Sequence, residues 1–304
     1  YSLLSNVGPG ITAFTDGSLV DGTQYYYRLL AFNTGGSSPY SNETSAITTL
    51  NAPTSLTATA LSSSQISLTW VNNSLSELGY KIEQSPVDNL HYTEIATVDA
   101  NTTSYTASGL TEGTRYYYRV RAYNAITTSG YTPEKNATTL FNIPIAPSGL
   151  RITSRLSNRI ILAWSDNSGN ESGFKIQRKQ GAAGTYTQIA TPAANSTTYT
   201  DNDTALLDGT QYYYRVSAYN SAGDSPFSNE VTGVTLLASP TSLTATAVSS
   251  SQINLTWVDN SLTEVGYKIE QSPVDNLHYT EIATVGANTT SYTASGLSEA
   301  TKYY

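Results

Sequence analysis

Residues Leu110–Asn124 read LTEGTRYYYRVRAYN, and close copies of this stretch occur elsewhere in the chain. From Tyr116 onward, side chains that suit a core alternate with side chains that suit a surface. Alternation with a period of two predicts a β-strand with one buried face. The side chains expected to face a core are Tyr116, Tyr118, Val120 and Ala122, and those expected to face outward are Tyr117, Arg119, Arg121 and Tyr123. The copies are Leu19–Asn33, Leu206–Asn220 and, in part, Leu297–Tyr304.

Two longer copies show that this strand belongs to a repeated unit. The stretch from Pro53 to Tyr117 returns in register from Pro240 to Tyr304, 187 positions later. A weaker similarity at about half that distance relates the contexts of Trp70 (SQISLTWVNNS) and Trp164 (NRIILAWSDNS). These periods predict tandem domains of roughly 90 residues in two alternating types. We call the repeats that begin at Pro53 and Pro240 type A, and the repeats that alternate with them type B.

The repeats divide the chain into four segments joined by short linkers that end in proline. We predict a partial type B repeat, a type A repeat, a type B repeat and a partial type A repeat, at residues 1–49, 53–140, 147–236 and 240–304. We expect a window on a longer array. Completion of the partial repeats between chains is disfavoured because the two fragments overlap. Proline fixes φ and cannot donate to a ladder, so the joints should restrict the orientation of neighbouring repeats.

Short alternating segments separated by turn residues fill each repeat. In the first complete type A repeat, QISLTWV places Ile66, Leu68 and Trp70 on one face, and YKIEQS places Tyr80 and Ile82 inward with Lys81 and Glu83 outward. Seven such segments per repeat predict an antiparallel β-sandwich. No segment has sustained helical periodicity. The predicted fold class is therefore all-β, with tandem seven-stranded sandwiches.

Composition excludes several classes of function. The chain has a formal net charge of −8 and no cysteine. Nucleic-acid binding requires clustered Lys and Arg, so no nucleic-acid partner is expected. No apolar run approaches the ~20 residues that span a bilayer, so no membrane insertion is expected within this segment. Without cysteine, disulfides and thiolate metal sites are excluded. We predict no cofactor.

The repeats resemble the fibronectin type III family. A tryptophan in the second strand is typical of that family, and the chain's Trp70, Trp164 and Trp257 all occupy this place. The pattern Leu-x-x-Gly-Thr-x-Tyr resembles the family's tyrosine corner, in which a Tyr hydroxyl bonds to upstream backbone. The matching corner tyrosines are Tyr25, Tyr116, Tyr212 and Tyr303, the last with Ala300 in place of glycine. The stretch from Trp70 to Ile82 resembles the form found in bacterial secreted and cell-surface proteins. The resemblance implies an immunoglobulin-like sandwich and an extracellular or cell-surface location.

Candidate sites for chemistry are few. His91 and His278 occupy one position in two copies, in the turn DNLHYT, without an acidic partner nearby; we predict solvated turn residues. The oxygen-rich segments 166–171 and 201–203 have loosely Ca²⁺-like spacing but lack a complete binding loop, so turn formation is the favoured interpretation. Glu77, Glu171 and Glu264 recur at one loop position, where a hydrogen bond to loop backbone is expected. We predict that the chain is not an enzyme.

One surface is a candidate for interactions. The outward side chains of the sixth strand should lie beside Lys81 and Glu83 and form either a stabilised solvent face or a lateral contact surface. The proposed face comprises Tyr117, Arg119, Arg121, Tyr123, Tyr213, Arg215 and Tyr219. Three functions remain open: a structural stalk, sheath or filament with lateral self-association; an adhesin or carbohydrate-binding array; and the spacer of a secreted polysaccharide-degrading enzyme. The expected partners are copies of the chain or other cell-surface components, with carbohydrate as a further candidate.

Overall fold

The computed structural model describes all residues from Tyr1 to Tyr304 and contains strands, turns and loops but no helix. This confirms the predicted all-β class. The chain forms two compact units, Tyr1–Asn142 and Ile143–Tyr304. Each unit contains one complete sandwich and one partial repeat.

The first unit begins with the partial type B repeat, which has four short strands. They are β1 (Gln24–Tyr27), β2 (Phe32–Asn33), β3 (Gly36–Ser37) and β4 (Thr44–Ile47). Strand β1 pairs antiparallel with β4, and β2 pairs with β3.

The complete type A sandwich follows, with seven strands. They are β5 (Thr54–Ala60), β6 (Gln65–Val71), β7 (Gly79–Ser85), β8 (Thr93–Asp99), β9 (Ser104–Ser108), β10 (Arg115–Tyr123) and β11 (Lys135–Thr138). One sheet has the order β5-β6-β9 and the other β11-β10-β7-β8, all antiparallel.

The core of this sandwich lies between the two sheets and follows the predicted alternation. The burial pattern of β10 alternates strictly from Tyr116 to Ala122. Trp70 from β6 is 4% exposed and packs against Tyr80 from β7, with ring centroids 5.5 Å apart. Burial of aromatic rings in tilted contact is a major favourable contribution in such a core.

The second unit begins with the complete type B sandwich. Its strands are β12 (Ser148–Leu156), β13 (Arg159–Ser165), β14 (Gly173–Gln180), β15 (Thr187–Ala190), β16 (Thr198–Asp201), β17 (Gln211–Asn220), β18 (Gly223–Asp224) and β19 (Val231–Val234). One sheet is β12-β13-β16, and in the other β17 pairs with β14, β18 and β19. The predicted count of seven strands is exceeded by one, because β17 runs on to Asn220, which pairs with Gly223 across a tight hairpin.

The partial type A repeat completes the second unit with five strands. They are β20 (Thr241–Ser249), β21 (Gln252–Val258), β22 (Gly266–Gln271), β23 (Thr280–Gly286) and β24 (Ser291–Ser295). Sheet β20-β21-β24 and the pair β22-β23 repeat the arrangement of β5-β6-β9 and β7-β8. Trp257 on β21 is 8% exposed and contacts Tyr267 with a centroid distance of 5.5 Å.

Candidate interaction face and structural sites

The outer face of β7 and β10 carries an ion-pair cluster centred on Glu83. Register places Arg119 opposite Glu83, and the Arg119 guanidinium lies 2.6 Å from its carboxylate. Arg121 approaches the other carboxylate oxygen at 3.4 Å, and the Tyr131 hydroxyl donates to that oxygen at 2.6 Å. Glu83 therefore lies on the predicted outward face but is only 6% exposed, because these three donors cover it.

The Arg119 guanidinium is also stacked between two aromatic rings of its own sandwich. Its central carbon lies 4.1 Å from the ring centroid of Tyr92 and 3.9 Å from that of Tyr131. The Tyr92 hydroxyl donates to Glu134 at 2.6 Å. Cation–π contacts of this geometry contribute about 0.5–2 kcal/mol. Both rings thus lie within stacking distance of the guanidinium, while 32% of the Arg119 side chain remains exposed.

The type B sandwich builds the same arrangement with different residues. Arg215 lies 4.0 Å from the Tyr186 ring and 3.7 Å from the Phe227 ring, and its Nε donates to Gln177 at 2.8 Å. Gln177 occupies the place of Glu83, so Arg215 has a neutral partner where Arg119 has a carboxylate.

The partial type B repeat has a third arginine that contacts two aromatic rings. Arg28 lies 4.2 Å from the ring of Tyr1 and 4.0 Å from that of Tyr40. Three copies therefore place the arginine at this repeat position close to two aromatic rings.

The other predicted face residues contact lysines on the neighbouring strand. Lys81 lies 5.7 Å from the Tyr123 ring, Lys175 lies 5.3 Å from the Tyr219 ring, and Lys179 lies 4.7 Å from the Tyr213 ring. Tyr117 is half-buried, opposite Ser85 and Asn136 in the ladder.

The stacking rings, which lie in the loops before the neighbouring strands, were missed by sequence reasoning. Their sequence signal is an aromatic residue three positions before a glutamate, and it occurs at Tyr40–Glu43, Tyr131–Glu134 and Phe227–Glu230. The second ring stands immediately before the fourth strand of its sandwich: Tyr92 precedes β8 and Tyr186 precedes β15.

Each predicted corner tyrosine accepts a hydrogen bond from upstream backbone. The Tyr116 hydroxyl accepts the N–H of Thr111 at 2.9 Å, and the Tyr212 hydroxyl accepts that of Leu207 at 2.9 Å. The remaining corners are Val20 N–H to Tyr25 at 3.0 Å and Ser298 N–H to Tyr303 at 3.0 Å. A buried N–H without an acceptor is costly, so the corner fixes the turn that precedes β10 and its counterparts.

Each histidine has an acidic partner that the sequence analysis did not predict. His91 Nδ1 lies 2.8 Å from Asp88, and His278 Nδ1 lies 2.8 Å from Asp275. The prediction of no nearby acid was wrong because it overlooked the aspartate three positions earlier in the same turn. Asp88 also accepts the N–H groups of Leu90 and His91, and these bonds hold the pKa of its carboxyl below the ordinary value. His91 and His278 remain exposed turn residues.

The oxygen-rich segments are engaged in hydrogen bonds of their own. Asp166 accepts the N–H of Ser168 at 3.0 Å. Both Asp201 and Asp203 are bound by the guanidinium of Arg178, at 2.9 and 3.0 Å. No group of three or more His, Asp or Glu side chains is arranged to hold a metal ion.

The recurring loop glutamates each accept the backbone N–H of an asparagine with positive φ. Glu77 accepts from Asn101 at 3.1 Å, and Glu171 accepts from Asn195 at 3.0 Å. In the third copy Glu264 accepts from Asn288 at 2.8 Å. The φ angles of these asparagines are 62°, 62° and 58°. Asparagine tolerates this conformation, and the glutamate holds the turn between the fourth and fifth strands against the loop after the tryptophan.

A buried polar network distinguishes the two repeat types. Asp201 is fully buried at the end of β16, where it binds Arg178 and accepts the Tyr214 hydroxyl. Type A has Ala107, Gln84 and Tyr118 at the corresponding positions, with Gln84 donating to Tyr118 at 3.0 Å. Sequence reasoning treated Asp201 only as a turn former and therefore missed this network.

The structure contains no helix with the length and hydropathy needed to cross a membrane.

Comparison with known proteins agrees with the sandwich architecture. A family model of the fibronectin type III domain matches residues 51–138, 145–234 and 238–304. Exoglucanase B of Cellulomonas fimi is 31% identical over 306 residues, which cover 94% of this chain and 25% of that protein. Human neogenin is 30% identical over 237 residues, which cover 72% of this chain and 16% of that protein. A solved structure of the chicken CNTN1 FN1–FN3 domains aligns with a TM-score of 0.35 at 20% identity, covering 83% of this chain and 92% of that one.

The chain spans a quarter or less of the length of these two curated relatives. The relatives found are extracellular, cell-surface or secreted proteins, which confirms the predicted location. Fibronectin type III domains are generally non-catalytic, and the comparisons support a structural or adhesion-type extracellular role. With the family model matching most of its length, the chain belongs to the fibronectin type III family.

Proposed function

We propose that the chain is a non-catalytic spacer, a stalk of tandem sandwiches in a longer secreted or cell-surface protein. The observation that carries this proposal is the self-contained character of its surface chemistry. The strongest candidate for a binding face, the set of arginines Arg119, Arg121 and Arg215, is packed against aromatic rings of its own sandwich. Arg119 is stacked by two tyrosines and neutralised by Glu83, and Arg215 is stacked by Tyr186 and Phe227.

This internal pairing favours a stalk over a filament built by lateral association. A lateral contact through these arginines would exchange satisfied intramolecular contacts for intermolecular ones, with little net gain. Rim and surface ion pairs contribute only about 0–1 kcal/mol when they remain solvated.

Electron microscopy of the native protein as it leaves the cell tests the proposal. We expect isolated strings of beads that carry a globular mass outside this segment. Ordered filaments with a repeating axial rise and side-by-side contacts would contradict the stalk and support a structural polymer.

A more specific second candidate is that this stalk is the spacer region of a secreted polysaccharide-degrading enzyme. Its support is the similarity to Exoglucanase B, which extends over 94% of this chain. Sequencing the complete reading frame tests it: a glycoside hydrolase domain in the same chain would support it, and its absence would contradict it. An adhesin or carbohydrate-binding array is the third candidate, which a glycan-binding screen with the whole chain would support or reject.

A further inference from the structure

The turn before β1 contains Asp21, whose carboxylate reaches into the following type A repeat. It accepts hydrogen bonds from the Ser74 hydroxyl at 2.7 Å and the Leu75 N–H at 3.1 Å, both in the loop between β6 and β7. It also accepts the N–H of Asn51, in the linker, at 3.0 Å. Asp21 is only 8% exposed. One carboxylate therefore binds the preceding repeat, the linker and the next repeat together.

The second unit repeats this arrangement 187 positions later. Asp208 accepts the N–H of Ala238 in the linker at 3.0 Å and that of Leu262 at 3.0 Å. The Ser261 hydroxyl donates to the same carboxylate, and Asp208 is 6% exposed. The same contacts, formed independently in two units, are a property of the sequence at this joint.

The glycine after each aspartate is required by the close approach of the next repeat. Gly22 has a φ of 58°, and a Cβ there would lie 2.5 Å from Leu50 Cδ1 and 2.9 Å from Ser76 Oγ. Gly209 has a φ of 55°, and a Cβ there would lie 2.5 Å from Thr263 Oγ1. A side chain at either position would adopt a strained backbone conformation and would displace side-chain atoms that now hold the joint.

Backbone contacts add to the carboxylate contacts. The Ser76 hydroxyl donates to the carbonyl of Asp21, and the Thr263 hydroxyl donates to that of Asp208 at 2.7 Å. In the first unit, Asn124 of the loop after β10 donates to the carbonyl of Gly22 at 2.9 Å. Two loops of the type A repeat thus hold the Asp-Gly pair.

From these contacts we infer that the Asp-Gly end of a type B repeat is a docking site for the tryptophan-side loop of a following type A repeat, and that it holds the pair in one orientation at neutral pH. We call this the joint clasp: Asp21 with Ser74 and Leu75, and Asp208 with Ser261 and Leu262. The partner is the Asn-Ser-Leu segment at 73–75 and 260–262, which presents one hydroxyl and one N–H to the carboxylate. This inference goes beyond the spacer role and does not depend on it.

The end of the type A repeat differs chemically at the equivalent position. Glu112 stands there, and its carboxylate accepts the N–H of Asn142 at 3.2 Å and its side-chain amide at 2.7 Å. The side chain is longer by one methylene group. The two repeat types therefore carry different acceptors at their ends.

Protonation of the aspartate should open the clasp. Burial raises the pKa of Asp21, but hydrogen bonds from Asn51, Ser74 and Leu75 outweigh it and hold the pKa below its ordinary value of 3.8. The pKa of Asp208 is lowered in the same way. The other titratable groups facing the two sites are Glu77 and Tyr80 in the first unit and Asp259, Glu264 and Tyr267 in the second. Because the folded pKa is depressed, the stabilisation is present above the unfolded pKa and is lost as the pH falls through the folded pKa.

Hydrogen exchange of the whole chain tests the inference, with the double substitution Asp21→Asn and Asp208→Asn. The amides of Leu75 and Leu262 should exchange roughly tenfold faster, since charge-assisted hydrogen bonds are lost. The amides of β6 and β10 should keep their protection. The matched control is Asp88→Asn, which removes a capping carboxylate inside one sandwich and should leave Leu75 and Leu262 unchanged.

A second double variant keeps the inference testable if the first double variant does not fold. Asp21→Glu with Asp208→Glu keeps the charge but lengthens the side chain, and exchange at Leu75 and Leu262 should be intermediate. Unchanged exchange at these amides in both double variants would overturn the clasp. Loss of protection throughout β6 and β10 would also overturn it, because the aspartate would then support the sandwich and not the joint. Neither outcome bears on the spacer role.

Discussion

The Tyr214 hydroxyl donates a hydrogen bond of 2.8 Å to the carboxylate of Asp201 inside the type B sandwich. Asp201 is also bound by Arg178 at 2.9 Å. Burial raises the pKa of Tyr214, and the neighbouring carboxylate raises it further. The sandwich therefore contains a buried ion pair at a position where type A has an alanine.

Removing one partner of this network should be costly. Asp201→Ala should lower the free energy of unfolding of the type B sandwich by about 3–5 kcal/mol, because Arg178 loses its buried carboxylate partner and keeps only the exposed Asp203, and because the buried Tyr214 hydroxyl loses its acceptor. Urea unfolding followed by hydrogen exchange of β13 and β17 measures this. Asp203→Ala, at the exposed partner of Arg178, is the control and should change stability little.

The double substitution Arg178→Gln with Asp201→Ala installs the pair that type A already uses, Gln84 and Ala107. It should recover most of the stability lost in Asp201→Ala. A double variant as unstable as the single one would mean that the charge is not the origin of the loss.

The tyrosine corner makes a contribution that a conservative substitution isolates. Tyr116→Phe removes the acceptor of the Thr111 N–H and should cost about 1–2 kcal/mol. Tyr117→Phe, one residue along on the outer face, should stay within about 0.5 kcal/mol of the parent. Denaturant unfolding measures both variants. Equal losses of stability in the two would argue against the corner hydrogen bond as the source of the loss.

The tryptophan of the second strand should dominate the core. Trp70→Ala should cost about 3–5 kcal/mol. Val71→Ala, at a neighbouring side chain that is 49% exposed, is the control and should have little effect. Because the two complete sandwiches have separate cores, hydrogen exchange should show protection lost in β5 to β11 and kept in β12 to β19. A Trp70→Ala melt within a degree or two of the parent would refute the core assignment.

Alkaline titration should separate buried from exposed tyrosines. Burial raises the pKa of Tyr118 to about 12, whereas an exposed tyrosine titrates near ~10. The folded pKa is raised, so this stabilisation is present below the unfolded pKa and is lost as the pH rises through the folded value. Absorbance at alkaline pH should show a late phase that coincides with unfolding and is reduced in Tyr118→Phe. A late phase of the same size in that variant would contradict the assignment.

The fold and part of the surface could be predicted from the sequence because they depend on local pattern. Alternation along β10 identifies which face is buried, and the spacing from Leu110 to Tyr116 identifies a corner. The covering of Arg119 could not be predicted, because Tyr92 and Tyr131 reach it from two loops, and alternation along a strand does not specify how loops are placed. The role of Asp201 was hidden for a related reason: its partner Arg178 lies on the opposite sheet, and both residues read individually as surface residues.

The buried charge of Asp201 also bears on how an array of similar domains folds without errors. Neighbouring sandwiches in one chain can exchange equivalent strands during folding, and such misassembly is a common failure of repeat proteins. If β16 took the place of β9, Asp201 would lie opposite Ile66, where Ala107 now pairs, and beside Gln84 without a guanidinium. Burying that unpaired carboxylate is unfavourable by several kcal/mol. Because the two repeat types alternate, a strand exchanged between immediate neighbours is unfavourable. The copy of the same type, with which exchange would be tolerated, lies 187 positions away.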